Sequence, residues 1–166
     1  MRIKANIPKS ERRVENDFND CLKRGRFVSV EKETYKDYIE RAKDDMLSAK
    51  RDLDENDLYW AVVKVYQSVF FILNALLIKE FGFFSKDHKC LLTGLLKKSL
   101  VDKNVSSKIL KVFDVRKNVE EMDIIRQERN ITLYHPKSKG IITRKDAEKI
   151  FKAGREILNF VLEVLG

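Results

Sequence analysis

Apolar side chains recur at steps of three and four along most of the chain, the spacing that places them on one face of an α-helix. Two stripes are the clearest, the first made of Tyr35, Ile39, Ala42, Met46, Ala49 and Leu53 and the second of Ala147, Ile150, Phe151, Gly154, Ile157, Leu158, Val161 and Leu165. The pattern predicts helices over about residues 10–24, 31–53, 58–81, 85–100, 105–134 and 143–165. No credible strand is found.

The expected helix ends carry familiar stop and start residues. Gly25 and Gly82 follow the first and third stripes and suit the left-handed conformation that closes a helix. Ser85 is the candidate cap of the fourth helix, and Thr143 with Asp146 resembles a capping box for the last. The stretch SLVDKNVSS, residues 99–107, is predicted to be a linker.

The segment Leu58–Ile78 is apolar enough to be mistaken for a membrane span. Polar residues interrupt it, namely Lys64, Gln67, Ser68 and Asn74. A charge near the middle of a lone span costs roughly 2.5 to 3.5 kcal/mol. We therefore predict no membrane span here but the central helix of a bundle, with Trp60, Tyr66, Phe70 and Phe71 in the core.

The fold class expected is all-α, an up-and-down bundle of four to five main helices with an extra N-terminal helix. The chain has 166 residues, 43% of them apolar and 36% charged, which suits one core. We assign residues 1–30 to an N-terminal helical extension and residues 31–166 to the bundle domain. Few glycines and prolines, six and two, agree with long helices.

The spacing of the cysteines and the composition of the first residues indicate where in the cell the protein is expected. Cys21 and Cys90 have no CxxC spacing, so we predict buried thiols rather than a disulfide or a metal site. Met1–Lys9 holds basic residues without the apolar run of a signal peptide, and a cytoplasmic location is expected. DLDENDLYWAVV lacks the glycine and the glutamate of a calcium loop, and no nucleotide-binding motif occurs, so no metal and no cofactor are predicted.

The whole chain has a net charge of +8, and most of that excess lies in one stretch. Residues 86–117 hold nine basic residues against three acids. Lys86, Lys89, Lys97 and Lys98 are the candidate phosphate-binding or nucleic-acid-binding residues of this stretch. A lysine-rich solvated face explains the same excess, and the two interpretations stay open.

The stretch ERNITLYHP, Glu128–Pro136, breaks the helical pattern. Arg126 and Arg129 occupy positions where the apolar seam calls for hydrophobic side chains, and a guanidinium there needs a carboxylate, a carbonyl, a phosphate or water. His135 precedes a proline, so the helix is expected to end there with the imidazole at its C-terminus, able to titrate near neutral pH. An acid partner for Arg129 and a solvent-exposed His135 are the alternatives.

These residues resemble the motif of the HEPN family, a helical bundle of archaea and bacteria in which arginine, often followed by asparagine, precedes a histidine by several residues. Here it is Arg129-Asn130-ITLY-His135, with Tyr134 inside it. Helices before it, with the Ser85–His88 segment, and the closing helix TRKDAEKIFKAGREILNFVLEVL are similar to the family's as well, over about Lys32–Leu165. The first thirty residues look like an extension of the kind that some archaeal members carry.

The resemblance implies a homodimer and a metal-independent endoribonuclease. His135 would deprotonate a ribose 2′-hydroxyl, and Arg129 would bind the scissile phosphate. Asn130 and Tyr134 are further candidate catalytic residues, and Arg126 is a candidate phosphate-binding residue. Many members belong to toxin–antitoxin systems with a small nucleotidyltransferase partner, and others are non-catalytic modules that bind a nucleotide or a protein. Lys137 stands where some paired members have a tyrosine, and the branch with a tyrosine at the position of Tyr134 often lacks the histidine. RNA cleavage and non-catalytic binding therefore both remain hypotheses.

Overall fold

The computed structural model describes residues 10–114 and 142–166 of the chain. Within these ranges the helices are α1 (Glu11–Lys23), α2 (Tyr35–Asp54), α3 (Leu58–Phe81), α4 (His88–Lys97), α5 (residues 103–114, to the end of the first described range) and α6 (Arg144–Leu165). A 3-10 turn, Lys32–Thr34, precedes α2. The predicted all-α bundle is confirmed.

Two short strands contradict the prediction that the chain has none. β1 (Phe27–Ser29) and β2 (Phe83–Ser85) pair antiparallel, with Val28 opposite Phe84. Each strand has three residues, too few to show the alternation by which a strand is recognised in sequence. The pair joins the N-terminal extension to the connection between α3 and α4.

The core is built around α3, which contributes thirteen buried residues. Two of its polar side chains contact α2: Ser68 Oγ donates to Ala42 O at 2.6 Å, and the ammonium group of Lys64 lies 2.6 Å from Asp52 Oδ2. By length and composition α3 could cross a membrane, but 72% of its most apolar window is buried inside the fold. Core packing therefore accounts for its apolar sequence, as the polar interruptions suggested.

The helix α6 runs beside α3 in the same direction. Near its start Arg144 Nη1 donates to Leu53 O, just before the N-terminus of α3, and near its end Leu165 O accepts from Lys79 Nζ at 2.8 Å. Between these ends Gly154 lies against Val65. The predicted buried stripe of α6 is confirmed, with all eight of its residues buried.

The N-terminal helix α1 is covalently attached to the bundle. Cys21 and Cys90 form a disulfide between α1 and α4, and both are almost fully buried. The prediction of free thiols is therefore wrong. These cysteines are 69 residues apart in sequence, so only the tertiary packing of α1 on α4 brings them together.

Several helix boundaries differ from the expected ones. Asp87, rather than Ser85, caps α4, because its carboxylate accepts from Cys90 N at 2.8 Å. This helix ends at Lys97, short of the expected end at residue 100. Asp102 Oδ1 accepts from Val105 N at 2.8 Å, so α5 begins inside the expected linker. Gly82 and the Thr143 cap are as predicted.

Of the four aromatic residues predicted to lie in the core, three do so. Tyr66 is buried and Phe70 and Phe71 are partly buried against the core. Trp60 is 51% exposed, so its assignment to the core is wrong. It stands in the first turn of α3, where its ring meets that of Tyr59 edge-on at 5.2 Å between centroids.

Candidate functional site

The predicted motif lies outside the described residues. Arg126, Arg129, Asn130, Tyr134 and His135 all fall between residues 115 and 141, so their roles in binding phosphate and in catalysis stay predictions. The two flanks of this segment are described. They show how the fold holds the chain up to residue 114 and from residue 142 onward.

The upstream flank is held by aromatic packing. Phe113, one residue before the first described range ends, is buried, and its ring centroid lies 5.6 Å from that of Tyr66 in α3 and 5.3 Å from that of His88 in α4. Three helices thus meet at this point. Aromatic contacts of this kind contribute about 0.5 to 1.5 kcal/mol each beyond the area they bury.

The segment Ser85–His88, part of the family resemblance, has a structural explanation. Ser85 is fully buried, its amide donates to Asn74 Oδ1 at 2.8 Å and its hydroxyl donates to Asp87 O at 2.8 Å. His88 is the first residue of α4 and meets Phe113, the last buried residue before residues 115–141. The segment therefore fixes the start of α4 against α3, and it brings the described histidine close to the end of α5.

The downstream flank is held by an arginine. Arg144, the first residue of α6, donates from Nη1 to Leu53 O at 3.1 Å and to Asn56 Oδ1 at 3.3 Å. Its Nε pairs with Glu148 at 3.0 Å. These contacts tie the start of α6 to the turn between α2 and α3.

The four candidate lysines in and beside α4 do not form one cluster. Lys86 and Lys89 are exposed at the N-terminal end of α4, beside His88. At the other end Lys97 pairs with Glu15 of α1 at 3.2 Å, and Lys98 lies over the ring of Phe81 at 4.6 Å. A ten-residue helix, about 15 Å long, separates the two pairs. Their predicted role in phosphate binding remains untested.

A second basic region lies where α5 meets α6. Lys108 Nζ lies 2.9 Å from Glu156 Oε2. This hydrogen bond, with the charges of Lys108, Lys152 and Lys111, holds the pKa of Glu156 below its ordinary value. Sequence inspection missed the α6 lysines, although their spacing of four and three residues, at Lys145, Lys149 and Lys152, already indicated a common face.

Among residues 10–114 and 142–166 there is no group of three or more histidine, cysteine and acidic side chains able to hold a metal ion. The two cysteines are joined in the disulfide and offer no thiolate ligand. Within that part of the chain the charged groups that could meet an anionic ligand are lysines and arginines.

Comparison with known proteins identifies one family. The family model described as the HEPN domain matches residues 35–164. The match begins at the first residue of α2 and leaves out α1 and β1, while it includes Arg129 and His135. No curated protein and no solved structure gives a significant match.

Proposed function

Because the chain belongs to the HEPN domain family, we propose that it is a metal-independent endoribonuclease that cleaves RNA with Arg129 and His135. The family is often associated with ribonuclease activity. The observation that carries the proposal is that the matched region includes Arg129-Asn130-ITLY-His135 as one uninterrupted motif. Packing of Phe113 and Arg144 supports it, because these contacts hold the end of described α5 and the start of α6, between which the motif occurs in the sequence.

The chemistry proposed needs only a base and a cation. His135 takes the proton from a ribose 2′-hydroxyl, and the 2′-oxygen attacks the adjacent phosphorus. The bond from phosphorus to the 5′-oxygen breaks, and that oxygen takes a proton from solvent water, while the imidazolium of His135 later returns its proton to solvent. Arg129 binds the non-bridging phosphate oxygens, whose negative charge it stabilises in the transition state. The products are a 2′,3′-cyclic phosphate and a 5′-hydroxyl.

The test is cleavage of a labelled RNA by the full-length chain in the presence of a chelator. We expect product ends that are cyclic phosphate and 5′-hydroxyl, and a rate that falls about 100-fold or more in His135→Ala and in Arg129→Ala. Arg51→Ala, which removes an exposed arginine of α2, is the matched control and is expected to cleave normally. RNA left intact by the wild-type chain would contradict the proposal.

Partners follow from the same assignment. HEPN domains commonly dimerise, and we propose a homodimer with the motif near the interface. Membership of a toxin–antitoxin system with a small nucleotidyltransferase is proposed on the resemblance alone, and Lys137, at the position of a modified tyrosine, argues against modification by such a partner. A non-catalytic module that binds a nucleotide or a protein is the alternative that the cleavage assay separates.

A further inference from the structure

We propose that an exposed surface formed by α5 and the first half of α6 binds the phosphate backbone of RNA. We call this surface the α5–α6 basic face, and it consists of the exposed Lys111, Lys145, Lys149 and Lys152 with the half-buried Lys108. The inference rests on the proposed function in that it takes the same substrate, RNA. It adds a binding surface that is separate from the Arg129–His135 motif.

The α6 lysines form a continuous stripe. Lys145, Lys149 and Lys152 are spaced four and three residues apart, so on an ideal helix they lie within about 60° of one another. All three are exposed. The opposite side of α6 is buried against α3 and α2, with Gly154 in contact with Val65 and Met46. The stripe therefore faces away from the core.

The ion pair across the two helices brings the α5 lysines to this stripe. Lys108 reaches Glu156, which follows Lys152 by one turn of α6. Lys111 is exposed one turn beyond Lys108 and is close enough to Glu156 to act on its carboxylate. Lysines from two helices thus converge on one side of the bundle.

The positive charge of this surface is only partly compensated. Glu156 is the one acid at its centre, and the lowered pKa of Glu156 reflects the surrounding lysines. Glu148, at the edge of the stripe, is paired with Arg144 at 3.0 Å. Asp146 in the first turn of α6 and Asp114 at the end of described α5 are the other nearby acids along these two elements. The five lysines therefore outnumber the nearby carboxylates along these two helices, and the surface carries net positive charge.

The arrangement favours a polyanion that extends over several phosphates rather than a single bound ion. The five lysines are distributed along two helices, and their long side chains act as point charges suited to phosphates. The same two helices lead into and out of residues 115–141, which carry the proposed catalytic pair. RNA held on this surface would therefore lie along the two described helices between which the proposed catalytic residues occur in the sequence. An acidic protein is the competing partner.

The experiment measures binding of a labelled single-stranded RNA by fluorescence anisotropy over a series of KCl concentrations. All proteins carry His135→Ala so that the RNA stays intact. Lys149→Gln with Lys152→Gln is compared with Lys43→Gln and Lys50→Gln, two half-exposed lysines of α2 that change net charge equally. We expect the α6 pair to weaken binding at least about fivefold and to reduce the slope of log affinity on log salt by about 1.4, and the α2 pair to change neither.

Glu156→Gln supplies a test in the opposite direction. It removes the central carboxylate and leaves the lysines, so RNA binding is expected to tighten and to become more dependent on salt. Because a purely structural role would predict no gain, tighter binding distinguishes an electrostatic surface from a set of stabilising ion pairs. Thermal unfolding of each variant establishes that the fold is retained.

Equal RNA affinity of the α6 and α2 variants would overturn the inference. Competition by poly-glutamate as effective as that of RNA at equal charge would also overturn it, because it would indicate an acidic protein as the partner. The outcome is separable from that of the proposed function. RNA that binds as expected but is never cleaved by the wild-type chain leaves the basic face standing and removes the nuclease. If the wild-type chain cleaves RNA and the Lys149→Gln, Lys152→Gln variant binds RNA as tightly as wild type does, the nuclease proposal stands and the basic face is ruled out.

Discussion

Gly154 decides how closely α6 approaches α3. A Cβ atom at this position would overlap Val65 Cγ1 and would lie 3.2 Å from Met46 Cε. Methionine can move aside, but a valine inside a helix is confined largely to one χ1 rotamer. The missing side chain is therefore a packing requirement, and the helix tolerates the glycine because the contact it permits lies in the core.

We expect Gly154→Ala to destabilise the fold. Alanine favours a helix over glycine by about 1 kcal/mol, but overpacking costs about 1 to 3 kcal/mol, so the loss is expected to exceed the gain. Gly94→Ala is the matched control. Its new Cβ meets Leu77 Cδ1, the end of a flexible side chain, at 3.2 Å, so a smaller loss is expected. Urea denaturation followed by circular dichroism measures both, and a more stable Gly154→Ala protein would contradict the packing described.

The ion pair between Lys108 and Glu156 has a defined pH dependence. Because the folded state lowers the pKa of Glu156, the stabilisation is present above the ordinary glutamate pKa of 4.5 and is lost as the pH falls through the lowered value. We therefore expect Glu156→Gln to melt slightly below wild type near neutral pH and to melt with it in acid. A difference that grows on acidification would show that the carboxylate is not stabilised in this way.

At the scale of elements, the sequence predicted the helices far better than their connections. Long stripes such as that of α6 repeat often enough to be unambiguous, and its buried residues were all identified correctly. The two strands were not predicted because each has only three residues. The N-cap of α4 was predicted two residues too early because serine and aspartate, here Ser85 and Asp87, are both favoured at N-cap positions. The Cys21–Cys90 disulfide was not predicted because the two cysteines are 69 residues apart and only tertiary packing brings them together.

The disulfide between α1 and α4 is expected to be a major part of the stability. It joins the helix outside the family match to the bundle, and by loop-entropy estimates closing so long a loop stabilises a fold by about 2 to 5 kcal/mol. Replacing both cysteines by alanine should lower the urea midpoint by a corresponding amount. Reductant should lower the midpoint of the wild type in the same way and leave the double variant unchanged.

Thiol titration provides the control for that prediction. Both cysteines are almost completely buried, and no thiol should react in the unreduced protein even after denaturation. Two reactive thiols in the denatured, unreduced chain would show that the disulfide does not form in solution. The measured stability change would then reflect only the loss of two small buried side chains.

Asp87 is expected to contribute through its cap. Its carboxylate accepts from Cys90 N and lies 3.6 Å from the Arg26 guanidinium. Asp87→Ala should cost about 1 kcal/mol in the free energy of unfolding, while Asp87→Asn keeps a capping oxygen and should cost less. Equal losses in urea denaturation would assign the effect to the charge rather than to the cap.

At the scale of the whole molecule, the family and the fold followed from the sequence, whereas the arrangement of the charges did not. A count over residues 86–117 identified the basic excess, but Lys97 and Lys98 turned out to contact Glu15 and Phe81. The spatial neighbours of Lys108 and Lys111 come from α6, more than thirty residues later in the chain. Local sequence counts cannot reveal such a face because helix packing assembles it.

In the proposed function the helical bundle positions the described elements on either side of residues 115–141, and Arg129 and His135 within those residues carry out the cleavage. Phe113, on the upstream side, packs against α3 and α4. Arg144, on the downstream side, donates a hydrogen bond to Leu53 O at the end of α2. The proposed cleavage step depends on the side chains of Arg129 and His135, and the proposed RNA binding depends on the basic face. The cleavage step is therefore expected to be separable by mutation from the fold and from RNA binding by the basic face.

The most direct measurement of the central claim is chelator-resistant RNA cleavage by the wild-type chain beside His135→Ala and Arg129→Ala, with the ends of the products determined. The account predicts cyclic phosphate and 5′-hydroxyl ends from the wild type and a loss of about 100-fold or more in both variants, with their melting curves unchanged. Cleavage that persists undiminished in both variants, or a wild-type chain that leaves RNA intact, would contradict it.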